Sequence, residues 1–197
     1  MPKIVDREAR RQEIAHKAIE VFLRDGLQDA NLGKIAVLCG FGRTTIYQYF
    51  RNIDEVLGFT LEEVFSDLDR DARQVLRDES LGAIEKILEL LDVFEREAIE
   101  DRGRMALLLE FILHPRREFP KAPIDVRERL HGLKAMLERI LADGVASGEL
   151  RELEPRMMAF TIFSLVEAVT LHSTLYEPVA LEECLSAARI LVEGLKA

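Results

Sequence analysis

The sequence predicts an all-α protein, and three observations carry that expectation. Apolar residues recur at helical spacing along nearly the whole chain. Six prolines and eleven glycines in 197 residues are few for an all-β fold, which needs many turns. No segment alternates apolar and polar residues convincingly enough to read as a strand. The length fits one domain or two small ones, and 48% apolar residues are enough to bury a core.

About nine helices follow from the pattern, in order. Ile14, Ala18, Val21 and Phe22 form a stripe on a first helix from about Arg7 to Arg24, stopped at Gly26. Asn31 can cap a short second helix that runs to Cys39 and ends at Gly40. Arg43 to Phe50 has room for only two helical turns. Asn52 or Asp54 opens a long helix with Val56, Leu57, Leu61, Val64, Phe65 and Leu68 inward. Ser80 is the expected cap of the next, which carries Ala83, Ile84, Ile87, Leu88, Leu91 and Phe94. "GRMALLLEFILHP" is apolar almost all round, so a central place is expected, ending at Pro115. "FPKAP" reads as a loop. Val126, Leu130, Leu133, Leu137, Ile140, Leu141 and Val145 make another stripe, closed by "ASGEL". "PRMMAFTIFSLVEAVTLHSTLY", ended by Pro178, and "ALEECLSAARILVEGL" are the last two helices.

Composition narrows the function classes. No run approaches the roughly 18 apolar residues that a membrane span needs, and "MPKIVDREARRQE" has no signal-peptide core. Cys39 and Cys184, the only cysteines, sit in apolar patterns and read as small core residues. They offer no disulfide framework or zinc motif and suit a reducing, cytoplasmic setting. The net charge of −9 is unevenly spread. Residues 1–60 hold nine Lys/Arg against eight Asp/Glu, and residues 61–197 hold eighteen against twenty-eight. The amino-terminal part is therefore free of the acidic excess that repels nucleic acid, with basic residues at Lys3, Arg7, Arg10 and Arg11.

The stretch "VLCGFGRTTIYQYFRN", Val37 to Asn52, admits two readings. A dinucleotide-binding turn needs a strand, G-x-G-x-x-G and a long helix. Gly40 and Gly42 fit it, but Thr45 takes the third glycine's place, the following helix is short, and no later strands exist to build a sheet. A helix-turn-helix explains more residues. Ala36 is small where two helices cross, Gly40 makes the turn, Phe41 plugs it, and Ile46 and Phe50 anchor the second helix inward. Arg43, Thr44, Thr45, Tyr47, Gln48 and Tyr49 are then left for phosphates and base edges.

Residues 8–62 resemble the amino-terminal domain of the TetR (tetracycline-repressor) family of bacterial transcriptional regulators. That family typically shows A-x-x-L-F-x-x-x-G, then T-x-x-x-I-A-x-x-A-G-V-S, then x-G-T-L-Y-x-Y-F. Phe22, Gly26, Ile35, Ala36, Gly40, Thr45, Ile46, Tyr47, Tyr49 and Phe50 match. The resemblance implies a DNA-binding domain over 1–52 and an effector-binding and dimerisation domain over 53–197. It implies a homodimer joined by the last two helices, with two recognition helices about 34 Å apart on a palindromic operator, repression, and release by a small apolar or amphipathic effector. It also implies DNA contacts from Asn31, Arg43, Thr44, Thr45, Tyr47, Gln48, Tyr49 and Arg51, with Arg43 and Gln48 reading bases. Arg7, Arg10 and Arg11 are either further phosphate contacts or a solvated basic face. Gly42 stands where the family often has Ser, and Ile53 where a phosphate-binding Lys is common. The second departure lowers the expected salt slope by about one unit.

Phe94, Met105, Phe111, His114, Met158, Phe163 and His172 are candidate effector-lining residues, and ordinary core packing explains each as well. Glu167, a lone acid in "FSLVEAVTL", is either a buried pocket acid or a polar break in a dimer interface. Two E-x-x-H pairs, Glu13/His16 and Glu128/His131, have the spacing of helical di-iron sites. At about 100° per residue both fall largely on polar faces, so no metal, cofactor or enzymatic activity is expected. A helical interaction protein with weakened DNA contacts is the alternative reading, and a helical metalloenzyme a more distant one.

Overall fold

The computed structural model describes residues 7–100, 102–113, 125–175 and 180–197, without the side chains of residues 100, 172–175 and 180–182. The helices are α1 (Arg7–Asp29), α2 (Leu32–Leu38), a 3-10 turn (Ile46–Gln48), α3 (Ile53–Arg77), α4 (Ala83–Glu100), α5 (Arg102–Leu113), α6 (Val126–Ser147), α7 (Pro155–Leu175) and α8 (Ala180–Glu193). Eight α-helices and one 3-10 turn thus occupy the positions of the nine expected helices. Among the described residues the only β-type pairing is an isolated bridge between Leu150 and Lys196.

The chain divides into two compact units, Met1–Val64 with Ala106–Asp125, and Phe65–Met105 with Val126–Ala197. This packing division falls inside α3, whereas the expected functional boundary falls just before it, at 52/53. The first unit buries Ile14, Ala18, Phe22, Ile35, Ile46, Phe50 and Leu61 completely or nearly so. α1 breaks where its sequence predicts: Gly26 takes φ 79°, ψ 160°, which a residue with a Cβ avoids. Asn31 caps α2, its Oδ1 accepting from the Lys34 amide at 3.1 Å. Asn52 opens α3 in the same way, accepting from the Glu55 amide at 2.8 Å. Glu55 reaches back to accept from the Arg51 amide at 2.8 Å, a variant of the capping box.

The second unit is built around Ile87, Leu91, Leu141, Leu185 and Val192, with α4, α6, α7 and α8 contributing. α4 and α6 cross closely at Gly144, where an added Cβ would stand 2.5 Å from Ala83 Cβ. The expected Ser80 cap of α4 does not form. Ser80 instead bonds Asp78, and the Glu149 carboxylate accepts from the amides of Ala83 (2.7 Å) and Ile84 (2.9 Å). A charged carboxylate on two open amides outcompetes a neutral hydroxyl. Glu154 serves α7 similarly, accepting from the Met157 amide at 2.7 Å ahead of Pro155 in the first helical position.

α5 is less enclosed than its sequence suggests: Leu107 and Leu108 are buried, but Leu113 is 62% exposed. Cys184 is exposed rather than a core residue, and Cys39 is half-buried, where burial raises its thiol pKa. Pro115, "FPKAP", Pro178, His114 and Lys3 lie outside the described residues, as does the side chain of His172.

Candidate nucleic-acid interface

The interface begins with a turn. The Cys39 amide donates to Ile35 O at 2.9 Å and the Phe41 amide to Ala36 O at 2.8 Å. Between them Gly40 adopts φ 69°, the left-handed conformation that the turn was expected to need.

The segment that follows departs from expectation. Arg43 to Phe50 is not two turns of α-helix. Its amides at Thr45, Gln48 and Tyr49 donate to the carbonyls of Gly42, Thr45 and Ile46, three residues back, and only Ile46–Gln48 is regular 3-10 helix. The reason is local. Thr44, Thr45 and Ile46 are three consecutive β-branched residues of low helix propensity. Tertiary anchoring holds the segment instead: Ile46 and Phe50 are both fully buried.

With those anchors inward, Arg43, Thr44, Gln48 and Arg51 are exposed, and Tyr47 projects with 58% exposure. Thr45 and Tyr49 are half-buried, Tyr49 stacking on Phe41 with centroids 6.3 Å apart. Asn31 is exposed beside its capping role. Phe41 is only half-buried, with the Arg10 guanidinium 5.5 Å from its ring centroid.

Charges around this segment are largely committed. Lys34 Nζ is 2.9 Å from Asp25 Oδ2 and donates to Asp29 O at 2.9 Å. Hydrogen bonds from Arg24 and then Lys34 hold the Asp25 carboxyl well below the usual carboxylate range. Arg7 donates to the Gln48 carbonyl at 3.2 Å, and Arg10 pairs with Glu13. Arg11 pairs with Glu55 at 3.5 Å and lies against the Phe50 and Phe59 rings. Arg7, Arg10 and Arg11 thus each have a partner within the first unit. Glu55 and Phe59 carried no functional expectation from sequence, and the carboxylate three residues into α3 was the only available signal.

The expected effector residues divide between the units. Phe111 belongs to the first, half-buried. In the second, Met105 is buried, and Phe94 and Met158 pack against the core cluster. Phe163 is half-buried, its ring centroid 5.3 Å from Lys134 Nζ. Glu167 is exposed on α7, which removes the buried-acid reading. His16, Glu128 and His131 are also exposed, as their helical phase predicted.

α7 and α8 leave large apolar side chains uncovered: Met157 at 63%, Phe160 at 58%, Ile190 at 66% and Leu191 at 59% exposure. No helix among the described residues is long and apolar enough to cross a membrane.

Residues 14–58 match the family model described as bacterial regulatory proteins, tetR family. The chain is 26% identical over 188 residues to the fatty acid metabolism regulator protein of Bacillus subtilis (strain 168), covering 93% of this chain and 94% of that one. It is 26% identical over 180 residues to the HTH-type transcriptional regulator PksA of the same organism, covering 89% and 83%. Among solved structures, the fatty acid degradation regulator FadR from Bacillus halodurans superposes with a TM-score of 0.74 at 23% identity, covering 98% of this chain and 97% of that one.

Proposed function

We propose that the chain, whose residues 14–58 match the tetR family of bacterial regulatory proteins and which is similar over most of its length to bacterial regulators, is a DNA-binding transcriptional regulator that acts as a repressor: a homodimer on a palindromic operator, released by a small apolar or amphipathic effector. One observation carries the DNA half. Ile46 and Phe50 are sealed in the core while Tyr47 and Gln48 between them, and Arg43, Thr44 and Arg51 beside them, are exposed. Arg43 and Gln48 have the donors and acceptors to read base edges. Thr44, Thr45, Tyr47, Tyr49, Arg51 and Asn31 supply phosphate contacts.

The uncovered Met157, Phe160, Ile190 and Leu191 support dimerisation through α7 and α8, since an apolar face of this kind is what a second copy covers. We assign DNA binding to residues 1–52, and effector binding and dimerisation to 53–197. A relative named as a fatty acid metabolism regulator favours a fatty acid as the effector. Phe94, Met105, Met158 and Phe163, all in the second unit, are the described candidates for its apolar chain. Release then requires that the effector bind the DNA-free conformation more tightly than the DNA-bound one.

The test is a footprint and mobility-shift series on duplex from upstream of the protein's own gene. Wild type should protect two half-sites one helical turn apart, Arg43→Ala should bind at least about tenfold more weakly while remaining dimeric, and a fatty acid should release the DNA. Unchanged binding by Arg43→Ala would remove it from the contact set. No salt-dependent binding at all would favour the helical interaction protein, a reading to which Gly42 and Ile53 already lend weight.

A further inference from the structure

Arg11 sits on α1 and lies against two aromatic rings, where Arg10 lies against one. Its Cζ lies 4.8 Å from the Phe50 ring centroid and 4.5 Å from that of Phe59. Those two rings meet edge to face, 5.6 Å apart and inclined at 69°. Its Nη2 is 3.5 Å from Glu55 Oε1, while the other oxygen of that carboxylate accepts from the Arg51 amide at 2.8 Å. Phe50 and Arg51 are the last residues of the reading segment, and Glu55 and Phe59 stand one turn apart on α3. One guanidinium therefore joins the end of the segment to the start of the long helix.

The chemistry suits a clamp and not a phosphate grip. The Arg11 side chain is 24% exposed, and its Nε is buried with no hydrogen-bond partner among the described residues. A planar, weakly hydrated guanidinium lies on aromatic faces in a way that a compact ammonium cannot. Arg7, by contrast, is exposed.

We propose that Arg11 is a positioning residue for DNA reading, locking Phe50 and Arg51 to the first turns of α3 without touching DNA; this rests on the DNA-facing assignment of residues 43–51. The need for such a clamp follows from the segment's own weakness. Its 3-10 bonds and β-branched run give it little intrinsic order, so Arg43, Tyr47 and Gln48 are only as well placed as the ends that hold them.

The test uses the full chain, the duplex from upstream of its own gene, a salt series, and amide exchange of the free protein. Arg11→Met should weaken binding about tenfold or more and leave the slope of log affinity against log salt unchanged. Exchange at the Gln48, Tyr49, Phe50 and Arg51 amides should quicken while α2 stays protected. Arg11→Lys, which keeps the charge and the stem, should resemble Arg11→Met in all three readouts, and decides the question if the methionine variant loses its helical circular dichroism. A slope shallower by about one unit, rescued by lysine, would make Arg11 a phosphate contact and overturn the proposal. Unchanged affinity and exchange would also overturn it. Wild type that binds no duplex, with exchange still raised in the variant, would overturn the DNA reading and leave the clamp standing.

Discussion

In its first two turns α3 meets one arginine, Arg11, laid on two aromatic rings and paired with a single carboxylate. Farther along, α3 carries Asp67, Asp69 and Asp71, which meet Arg104 of α5, Arg129 of α6 and Arg96 of α4 at 2.9, 3.1 and 2.7 Å. Arg70 and Arg73 of α3 itself join the same aspartates. The two regions use the same ion types in different arrangements. Arg11 lies partly desolvated on two rings, and loss of its side chain removes the ion partner of Glu55 and the cation between the rings. In the later network each aspartate has two arginines, of which Arg70, Arg73 and Arg96 are exposed and Arg104 and Arg129 partly buried, so the exposed pairs are individually weak and sensitive to salt. One end of α3 is thus held by a specific packed contact, and the other by many replaceable ones.

Removing the ring under Arg11 is the harshest challenge to that contrast. Phe50→Ala empties a fully buried site and should lower stability by roughly 3–5 kcal/mol in urea unfolding. A cost below about 1 kcal/mol would mean that the first turns of α3 are not held by packing.

Next in size is the cap that Glu149 provides for α4. Glu149→Ala leaves the Ala83 and Ile84 amides without their acceptor, which should cost about 1–3 kcal/mol, with Glu149→Gln recovering part. A neutral outcome in calorimetry would show that water replaces the carboxylate freely.

Arg96→Ala, at the exposed pair with Asp71, should cost less, under about 1 kcal/mol, and the difference from wild type should shrink toward zero in 1 M salt. A cost that persists at high salt would erase the distinction between the two ends of α3.

The smallest effect concerns pH. Asp25 is ionised more readily when folded, its pKa lying below the reference 3.8. Its stabilisation is therefore complete above the unfolded value and lost as pH falls through the folded one. Asp25→Asn should lower stability slightly at neutral pH and flatten the acid limb below about pH 4, so that variant and wild type converge at low pH. An identical acid limb would show that the pairs with Arg24 and Lys34 carry no net stability.

Much of the fold was legible in the sequence because helices announce themselves locally. The stripe from Val56 to Leu68 is buried as its spacing implies, and Gly26, Gly40 and Asn31 do at α1 and α2 what their chemistry predicts. Legibility failed where partners come from far along the chain. Ser80 looked like a cap because it is near, but Glu149, more than sixty residues later, holds the helix end. The reading segment looked helical by family pattern, and its β-branched run made it 3-10. Glu167 and Cys184 sit among apolar neighbours in sequence and still face outward, because a helix apolar nearly all round gives no phase from which to infer the buried side.

The sequence by itself determined the all-α class, the helix order, the position of the turn at Gly40 and the inward pair Ile46 and Phe50, since propensity, capping and periodicity act within a few residues of one another. The tertiary structure alone decided that Arg11 would spend its charge on Phe50, Phe59 and Glu55, that Glu149 would cap α4, and that Tyr47 would be exposed while Tyr49 stacks on Phe41. Each of these depends on which groups meet across the fold and how much water remains between them, and neither quantity is written in any local stretch of the chain.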